Sequence, residues 1–333
     1  MDLLHIPGDT GGGWRIKKFG EFAHKVRAVD PLMLEEYYRR HNLSLDTTLD
    51  LFWLLSSTYS EITAIVILNQ LKRLKDHTPE DINSYWKEYK PLLKFGSSRR
   101  YAKSLDWFPH LIQDWNTFTH KSPSTWFKSF LDNSTPAESY RNLYKFLESR
   151  KFMGRFSVEL FLLNFTYFRQ DKLWNIELSE ATTFNWREYS NETSGLLNLF
   201  YMDEKADEFD KSHTLDQSTF DFLNKANSVL QTYLKDTYGE YDAQPLIYMP
   251  RICTFRNFCK ERRYVGFHHD RQLSFIKNYE KHFGVTPLIK EFYDIRKSIY
   301  PIKLLGELNG WLAPRSALNH TFLRTGFIGV EEI

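Results

Sequence analysis

The chain has 333 residues, of which 42% are hydrophobic and 17% aromatic, and its formal net charge at pH 7 is +2. This composition suits a globular protein with a large core, either one helical domain over residues 1–333 or two closely packed lobes. No apolar run reaches the roughly 20 residues that span a bilayer, and residues 1–13 lack the features of a signal peptide. We therefore expect no membrane association and a cytoplasmic location. Cys253 and Cys259 are too few for a disulfide framework and are predicted to be free thiols.

Helix start signals recur along the first half of the chain. An N-cap residue followed by proline predicts helices that begin at Asp30-Pro31, Thr78-Pro79 and Thr135-Pro136. Residues 59–75 and 154–169 are apolar around most of the helical circumference, which predicts two buried helices near the centre of the fold.

The second half of the chain shows further helical patterns and no alternation of strands with helices. Helices are predicted over residues 218–235, 270–283 and 287–299, and a short β-hairpin is possible within residues 174–201. The acidic stretch 203–214 is predicted to be a mobile loop or the boundary between two lobes. The predicted fold class is therefore mostly α.

The densest functional chemistry lies in residues 262–271, which hold three arginines, two histidines, a tyrosine and an aspartate. Arginine binds anionic oxygens through paired N–H donors, and aspartate orients imidazole for proton transfer. We interpret Arg263, His268, Asp270 and Arg271 as an anion-binding and proton-transfer cluster. In the alternative interpretation, Asp270 is a helix N-cap among solvated arginines. No metal site is predicted, because adjacent histidines point in different directions and no further ligand stands at metal spacing.

Two other segments carry candidate site residues. Gly154 at a helix start, flanked by Lys151 and Arg155, combines free backbone N–H groups with cations, which suits a DNA phosphate; the alternative is a simple interhelical turn. Glu307 lies between glycines and beside leucines, so burial is expected to raise its pKa, as a general base requires. Alternatively, Glu307 forms an ion pair with Arg296 or Lys303.

Four segments, residues 101–108, 152–156, 263–271 and 304–311, together resemble the bacteriophage amino acid:DNA transferases. These enzymes are allied to the α-glutamyl/putrescinyl thymine pyrophosphorylases and, through them, to helix-hairpin-helix DNA glycosylases. The likeness runs from residue 101 to residue 311, and its motifs are loose patterns of aromatic and basic residues. It implies a multi-helix, DNA glycosylase-like architecture of the helix-hairpin-helix type.

The resemblance also implies an enzyme of DNA hypermodification. An amino acid, expected to be glycine, would attack through its amine the phosphorylated 5-hydroxymethyl group of a modified uracil in phage DNA and displace phosphate. The partners would be double-stranded DNA carrying the modified thymine and the free amino acid, in the host cytoplasm. Such a displacement requires no cofactor.

Each step of this reaction has candidate residues. The target base is expected to be flipped out of the duplex, and the leaving phosphate and the amine proton both need a receiving group. Arg263 and Arg271 are assigned to the leaving phosphate, and Arg296 to the amino acid carboxylate. The proton would go to His268, Asp270 or Glu307, and the flipped base would stack on Tyr264, Trp107 or Trp311. The DNA backbone or a second phosphate would bind at Lys151, Gly154 and Arg155.

Two other classes of function stay open. A noncatalytic helical DNA-binding protein would use the same arginines only to contact phosphates. A DNA glycosylase-like base-excision enzyme or a metal-dependent nuclease would use the same helices for different chemistry. A glycosylase usually has an LPGxG-type hairpin followed by a catalytic aspartate, whereas here only Gly154 and Asp171 are candidates, which argues against base excision.

Overall fold

The computed structural model describes residues 13–27, 30–96, 105–131, 135–151, 153–167, 186, 190–259 and 267–299. Within these residues the chain forms sixteen α-helices and two 3₁₀ turns, without a β-strand. The prediction of a mostly α protein is confirmed for this part of the chain. The helix-hairpin-helix, glycosylase-like arrangement stays a prediction. None of the helices in the described ranges combines the length and the apolar character needed to cross a membrane.

One apolar core is built by two groups of helices that are far apart in sequence. Trp53 and Trp115 stack at 4.9 Å between ring centroids in this core, and both indoles are completely buried. The helices are α2 (Leu32–His41), α3 (Leu45–Thr58), α4 (Glu61–Leu71), α5 (Pro79–Tyr89), α6 (Phe108–Phe118), α7 (Pro123–Lys128), α8 (Pro136–Glu148), α9 (Arg155–Tyr167), α14 (Phe267–Phe275), α15 (Lys277–Phe283) and α16 (Pro287–Ile299).

A second apolar core is built by the first helix and the middle of the chain. Its helices are α1 (Trp14–Val26), α10 (Ser190–Leu199), α11 (Asp203–Ser212), α12 (Gln217–Tyr238) and α13 (Pro245–Cys259). Helix α13 contributes to both cores, because Ile247 belongs to the first and Tyr248, Met249 and Ile252 belong to the second. The polar side chains of α13 therefore lie where the two cores meet.

Most of the predicted helices are confirmed. Thr78 and Thr135 each form a capping box at the start of α5 and α8, and α4, α9, α12 and α16 occupy the ranges that their apolar patterns predicted. The helix predicted over residues 270–283 is divided at Ile276 into α14 and α15.

Two predictions from the sequence are wrong. Residues 203–212 form α11 rather than a loop, because Ala206 and Phe209 are buried in the second core. Asp30 does not cap α2, since its carboxylate binds arginine side chains and the helix begins at Leu32. Of the possible hairpin within residues 174–201, residues 190–199 form α10, and most of the remainder lies outside the described residues.

Candidate functional site

The candidate site is centred on α14, which carries the end of the cluster identified at residues 262–271. His268 is buried in this helix. Arg271 is half-buried, with its guanidinium 5.8 Å from the centroid of the Phe275 ring, and burial lowers the pKa of Arg271. Asp270 lies in the helix, but its side chain is outside the described atoms. The predicted site residues Arg263, Tyr264, Glu307 and Trp311 lie outside the described residues altogether.

His269, which sequence reasoning did not select, is the most deeply placed histidine of α14. Its side chain is 1% exposed, and burial together with the nearby Arg296 guanidinium lowers the pKa of His269 to about 3. A hydrogen-bonding interaction with the Asp30 backbone acts in the opposite direction. The imidazole is therefore neutral at pH 7, and it is too weak a base to remove a proton from an ammonium group.

Arg296, the residue assigned to the amino acid carboxylate, is completely buried in α16. The Arg296 guanidinium is close enough to α14 to act electrostatically on His269. A ligand carboxylate that binds Arg296 must therefore reach below the protein surface. Removing a guanidinium from water is unfavourable unless anionic or hydrogen-bonding groups compensate it, so the buried Arg296 requires such an environment.

The corner between α3 and α4 is hydrogen-bonded to α14 within the first core. Gln272 of α14 donates from Nε2 to Glu61 Oε1 over 2.8 Å, and its Oε1 accepts the Glu61 backbone N–H over 2.7 Å. Glu61 Oε2 in turn accepts the backbone N–H of Leu34 over 2.9 Å. Burial raises the pKa of Glu61 to about 7, although these hydrogen bonds favour the charged carboxylate.

The same corner reaches the exposed turn before α9. The Tyr59 hydroxyl lies 2.9 Å from the Ser157 hydroxyl, and the Tyr59 and Phe156 rings meet edge to face at 4.9 Å between centroids. Tyr59 adopts a left-handed backbone conformation with φ of 61°, which is uncommon for a bulky residue. A continuous path of contacts therefore leads from α14 through residues 59–61 to the start of α9.

The turn before α9 is open to a large ligand. Gly154 and the cations Lys151 and Arg155 are exposed, and no atom lies within 4 Å of the position that a Cβ on Gly154 would occupy. Arg155 Nε donates to Glu159 Oε1 over 2.7 Å, so part of its charge is already neutralised. Backbone N–H groups of the first turn of a helix favour anionic groups, as the DNA-binding prediction requires.

A buried cluster of charges lies on the other side of His269, where the two cores meet. Arg251 of α13 is completely buried and donates from Nε and Nη2 to the two carboxylate oxygens of Asp30, over 3.0 and 2.6 Å. Its Nη1 donates to Asp242, which also lies 2.8 Å from the Nδ1 atom of His24. The Asp30 backbone also forms a hydrogen-bonding interaction with His269, which links this cluster to α14.

The structure places three of the predicted site residues on α14 and α16 and adds residues that the sequence patterns missed. His268 and Arg271 lie on α14, and Arg296 lies on α16, within electrostatic reach of His269. Trp107 is 40% exposed at the start of α6. The nearby Leu105 carbonyl accepts the indole N–H of Trp86 in α5, so Trp107 lies beside the contact between α5 and α6. The missed residues are Asp30, Tyr59, Glu61, Arg251, His269 and Gln272. Two of them, Glu61 in α4 and Arg251 in α13, could have been noticed as charged residues within largely apolar helices.

Among the described residues, no group of three or more histidine, cysteine, aspartate or glutamate side chains is placed to hold a metal ion. The donors gathered around α14 are mainly arginine N–H groups, which bind anions instead. No protein-family model, curated protein or solved structure matches this chain.

Proposed function

We propose that this protein is an amino acid:DNA transferase that modifies a thymine analogue in phage DNA. The amine nitrogen of an amino acid, glycine in our proposal, forms a bond to the 5-methylene carbon of a phosphorylated 5-hydroxymethyl-uracil. The carbon–oxygen bond to phosphate breaks, and phosphate leaves with the electron pair. The amine proton passes to a carboxylate or imidazole of the protein.

The observation that carries this proposal is the path of contacts from α14 through Glu61 and Tyr59 to the exposed turn at Gly154. At its buried end, α14 carries Arg271 and lies within electrostatic reach of Arg296. At its exposed end, the turn at Gly154 offers the cations Lys151 and Arg155 and the N–H groups of the first turn of α9. An enzyme acting on a base in duplex DNA needs both parts, because it must hold the backbone outside while it receives a flipped nucleotide inside.

The proton in this mechanism goes to His268, Asp270 or Glu307. The neighbouring His269 is unsuited to this role, because burial lowers its pKa to about 3. Arg263 and Arg271 are proposed to stabilise the departing phosphate, and the buried Arg296 to receive the amino acid carboxylate. Tyr264, Trp107 or Trp311 would stack on the flipped base.

The test is incubation of the protein with duplex DNA that contains 5-phosphomethyl-uracil and with labelled glycine, followed by mass spectrometry of the nucleosides. We expect a nucleoside that has gained glycine and lost phosphate. Arg271→Ala should lower the transfer rate by about 100-fold or more. The matched control is Arg39→Ala, which removes an exposed arginine from α2 and should leave the rate unchanged.

Three results would contradict the transferase. Label that stays entirely free, while DNA binds with strong salt dependence, would indicate a noncatalytic DNA-binding protein. Release of a free base would indicate a glycosylase, and strand scission that a chelator abolishes would indicate a nuclease. Equal rates for Arg271→Ala and the unsubstituted protein would remove Arg271 from the active site.

A further inference from the structure

The ends of α6, α7 and α8 meet around a cluster of partly exposed aromatic rings. The Arg150 guanidinium lies 4.7 Å from the centroid of the Phe146 ring and 5.8 Å from that of Phe118. The Trp126 ring packs against the same two phenylalanines, at 5.7 and 5.2 Å between centroids. Arg150 and Trp126 therefore flank one pair of rings, although they come from different helices.

Both residues carry hydrogen-bond donors that the described part of the chain does not satisfy. Trp126 is 9% exposed, and neither its indole N–H nor the buried Nε–H of Arg150 has a hydrogen-bond acceptor among the described residues. Asp114 lies within electrostatic reach of Arg150 and offsets part of its charge. Leaving the indole N–H and the Arg150 Nε–H without acceptors is unfavourable, so we expect a ligand to supply acceptors at this place.

Exposed cationic side chains lie close in sequence to Arg150 and to the aromatic rings that it contacts. His120 and Lys121 follow α6 directly, both with left-handed backbone conformations, only two and three residues beyond the ring of Phe118. Lys151 is exposed and adjacent in sequence to Arg150, and the first turn of α9 begins four residues further on. Ammonium groups, a guanidinium and helix N–H groups at one end of the bundle form a setting that favours phosphate.

We propose that Trp126 and Arg150, with Lys121 and Lys151 beside them, form a binding site for a backbone phosphate of DNA. This proposal rests on the proposed function only in taking DNA as the polyanion. It adds Lys121, which lies between α6 and α7, and Trp126 of α7 to the turn at Gly154, so the proposed DNA-binding surface becomes larger. The acidic helix α11, with Asp203, Glu204, Asp207, Glu208 and Asp210, belongs to the other core.

The experiment is fluorescence anisotropy with a short labelled DNA duplex over a series of salt concentrations, using the full chain. The first variant combines Lys121→Asn with Lys151→Gln, since asparagine tolerates the left-handed conformation at position 121. The control combines Lys225→Gln with Lys290→Gln, which removes the same charge from exposed positions of α12 and α16. Trp126→Phe forms a second test, because it removes a neutral donor and keeps an aromatic ring.

We expect the first variant to bind DNA at least about 10-fold more weakly, with a salt slope reduced by about 1.8 for two lost phosphate contacts. Trp126→Phe should weaken binding by about 5-fold with an unchanged slope, as loss of a hydrogen bond of about 1 kcal/mol predicts. The control should retain both affinity and slope.

The proposal is overturned if the first variant matches the control, or if anionic lipid vesicles bind through these lysines and DNA does not. Normal DNA binding by both variants together with efficient glycine transfer would overturn this site and leave the transferase intact. Weakened DNA binding in a protein that transfers no glycine would support this site and contradict the transferase.

Discussion

Gln272 and Glu61 hold each other through hydrogen bonds in both directions. The Gln272 amide donates to the Glu61 carboxylate, and the Gln272 carbonyl oxygen accepts the backbone N–H of Glu61. The second Glu61 oxygen accepts the N–H of Leu34 in the first turn of α2. Gln272 therefore supplies an acceptor for a backbone N–H in the first turn of α4, and Glu61 does the same for the first turn of α2. These hydrogen bonds connect α14, α4 and α2 next to His269.

Replacing Gln272 by alanine should destabilise the fold by about 2–4 kcal/mol. The change leaves the Glu61 N–H and one carboxylate oxygen without partners in a buried position. Urea unfolding followed by circular dichroism would measure this loss. Gln217→Ala is the matched control, because Gln217 also donates to a carboxylate, that of Asp221, but on the surface.

The control variant should lose less than about 0.5 kcal/mol. Similar losses in the two variants would mean that the interlock of α14, α4 and α2 contributes no more than a surface hydrogen bond. If the interlock positions the candidate site, Gln272→Ala should also reduce glycine transfer under conditions where the variant is folded.

Glu61 should make the stability of the protein fall as pH rises. Its pKa is about 7 in the folded state and near 4.5 when unfolded, so between these values only the folded carboxyl holds a proton. The contribution is fully present below pH 4.5 and is lost as pH rises through about 7, at about 1.4 kcal/mol per pH unit. The buried Asp50 acts in the same direction, while His269 acts in the opposite direction below pH 6.5.

Glu61→Gln should remove this one component from the pH dependence. Urea unfolding across pH 4.5 to 8 should show a free energy of unfolding that declines less steeply with pH than that of the unsubstituted protein. Glu36→Gln is the control, since arginine neighbours lower the pKa of Glu36 and its titration falls below this window. Parallel curves for Glu61→Gln and the unsubstituted protein would show that burial does not raise the pKa of Glu61.

The sequence predicted the helices better than it predicted the site. Proline and N-cap signals located α5 and α8 because they act within one turn, and apolar patterns located α4 and α9 because burial covers their whole circumference. The partners of Asp30 could not be predicted in this way. Asp30 meets Arg251 across 221 positions of sequence, and a local pattern interprets the same aspartate as a helix cap.

Close packing of α10 against α13 makes Gly195 sensitive to a single added methyl group. A Cβ at this position would lie 2.5 Å from Ile252 Cγ2, too close to be accommodated without a shift of the side chain or of the helices. Gly195→Ala should therefore destabilise the protein by about 1–3 kcal/mol despite the higher helix propensity of alanine.

Thermal unfolding would compare Gly195→Ala with Gly154→Ala, where a Cβ meets nothing within 4 Å. The second variant should retain or slightly raise the stability, because alanine restricts the unfolded chain. An unchanged or raised melting temperature in Gly195→Ala would show that α10 and α13 can separate at little cost.

Arg251 is the residue whose loss should most disturb the junction between the two cores. Arg251→Met leaves the carboxylates of Asp30 and Asp242 buried without their main cation, and should destabilise the protein by about 3–5 kcal/mol. Arg251→Lys should recover only part of this loss, because an ammonium group lacks the planar fork that binds both oxygens of Asp30. The exposed ion pair between Arg39 and Glu36 offers the control, and Arg39→Met should leave the stability nearly unchanged.

A triple variant separates the charge from the packing of this cluster. Combining Arg251→Met with Asp30→Asn and Asp242→Asn removes the uncompensated carboxylates and should recover stability relative to Arg251→Met alone, as measured by urea unfolding. Because the Asp30 backbone interacts with His269, we expect the recovered protein to bind the amino acid less well even where it is stable. A triple variant that is no more stable than Arg251→Met would show that the arginine acts through its packing and not through its charge.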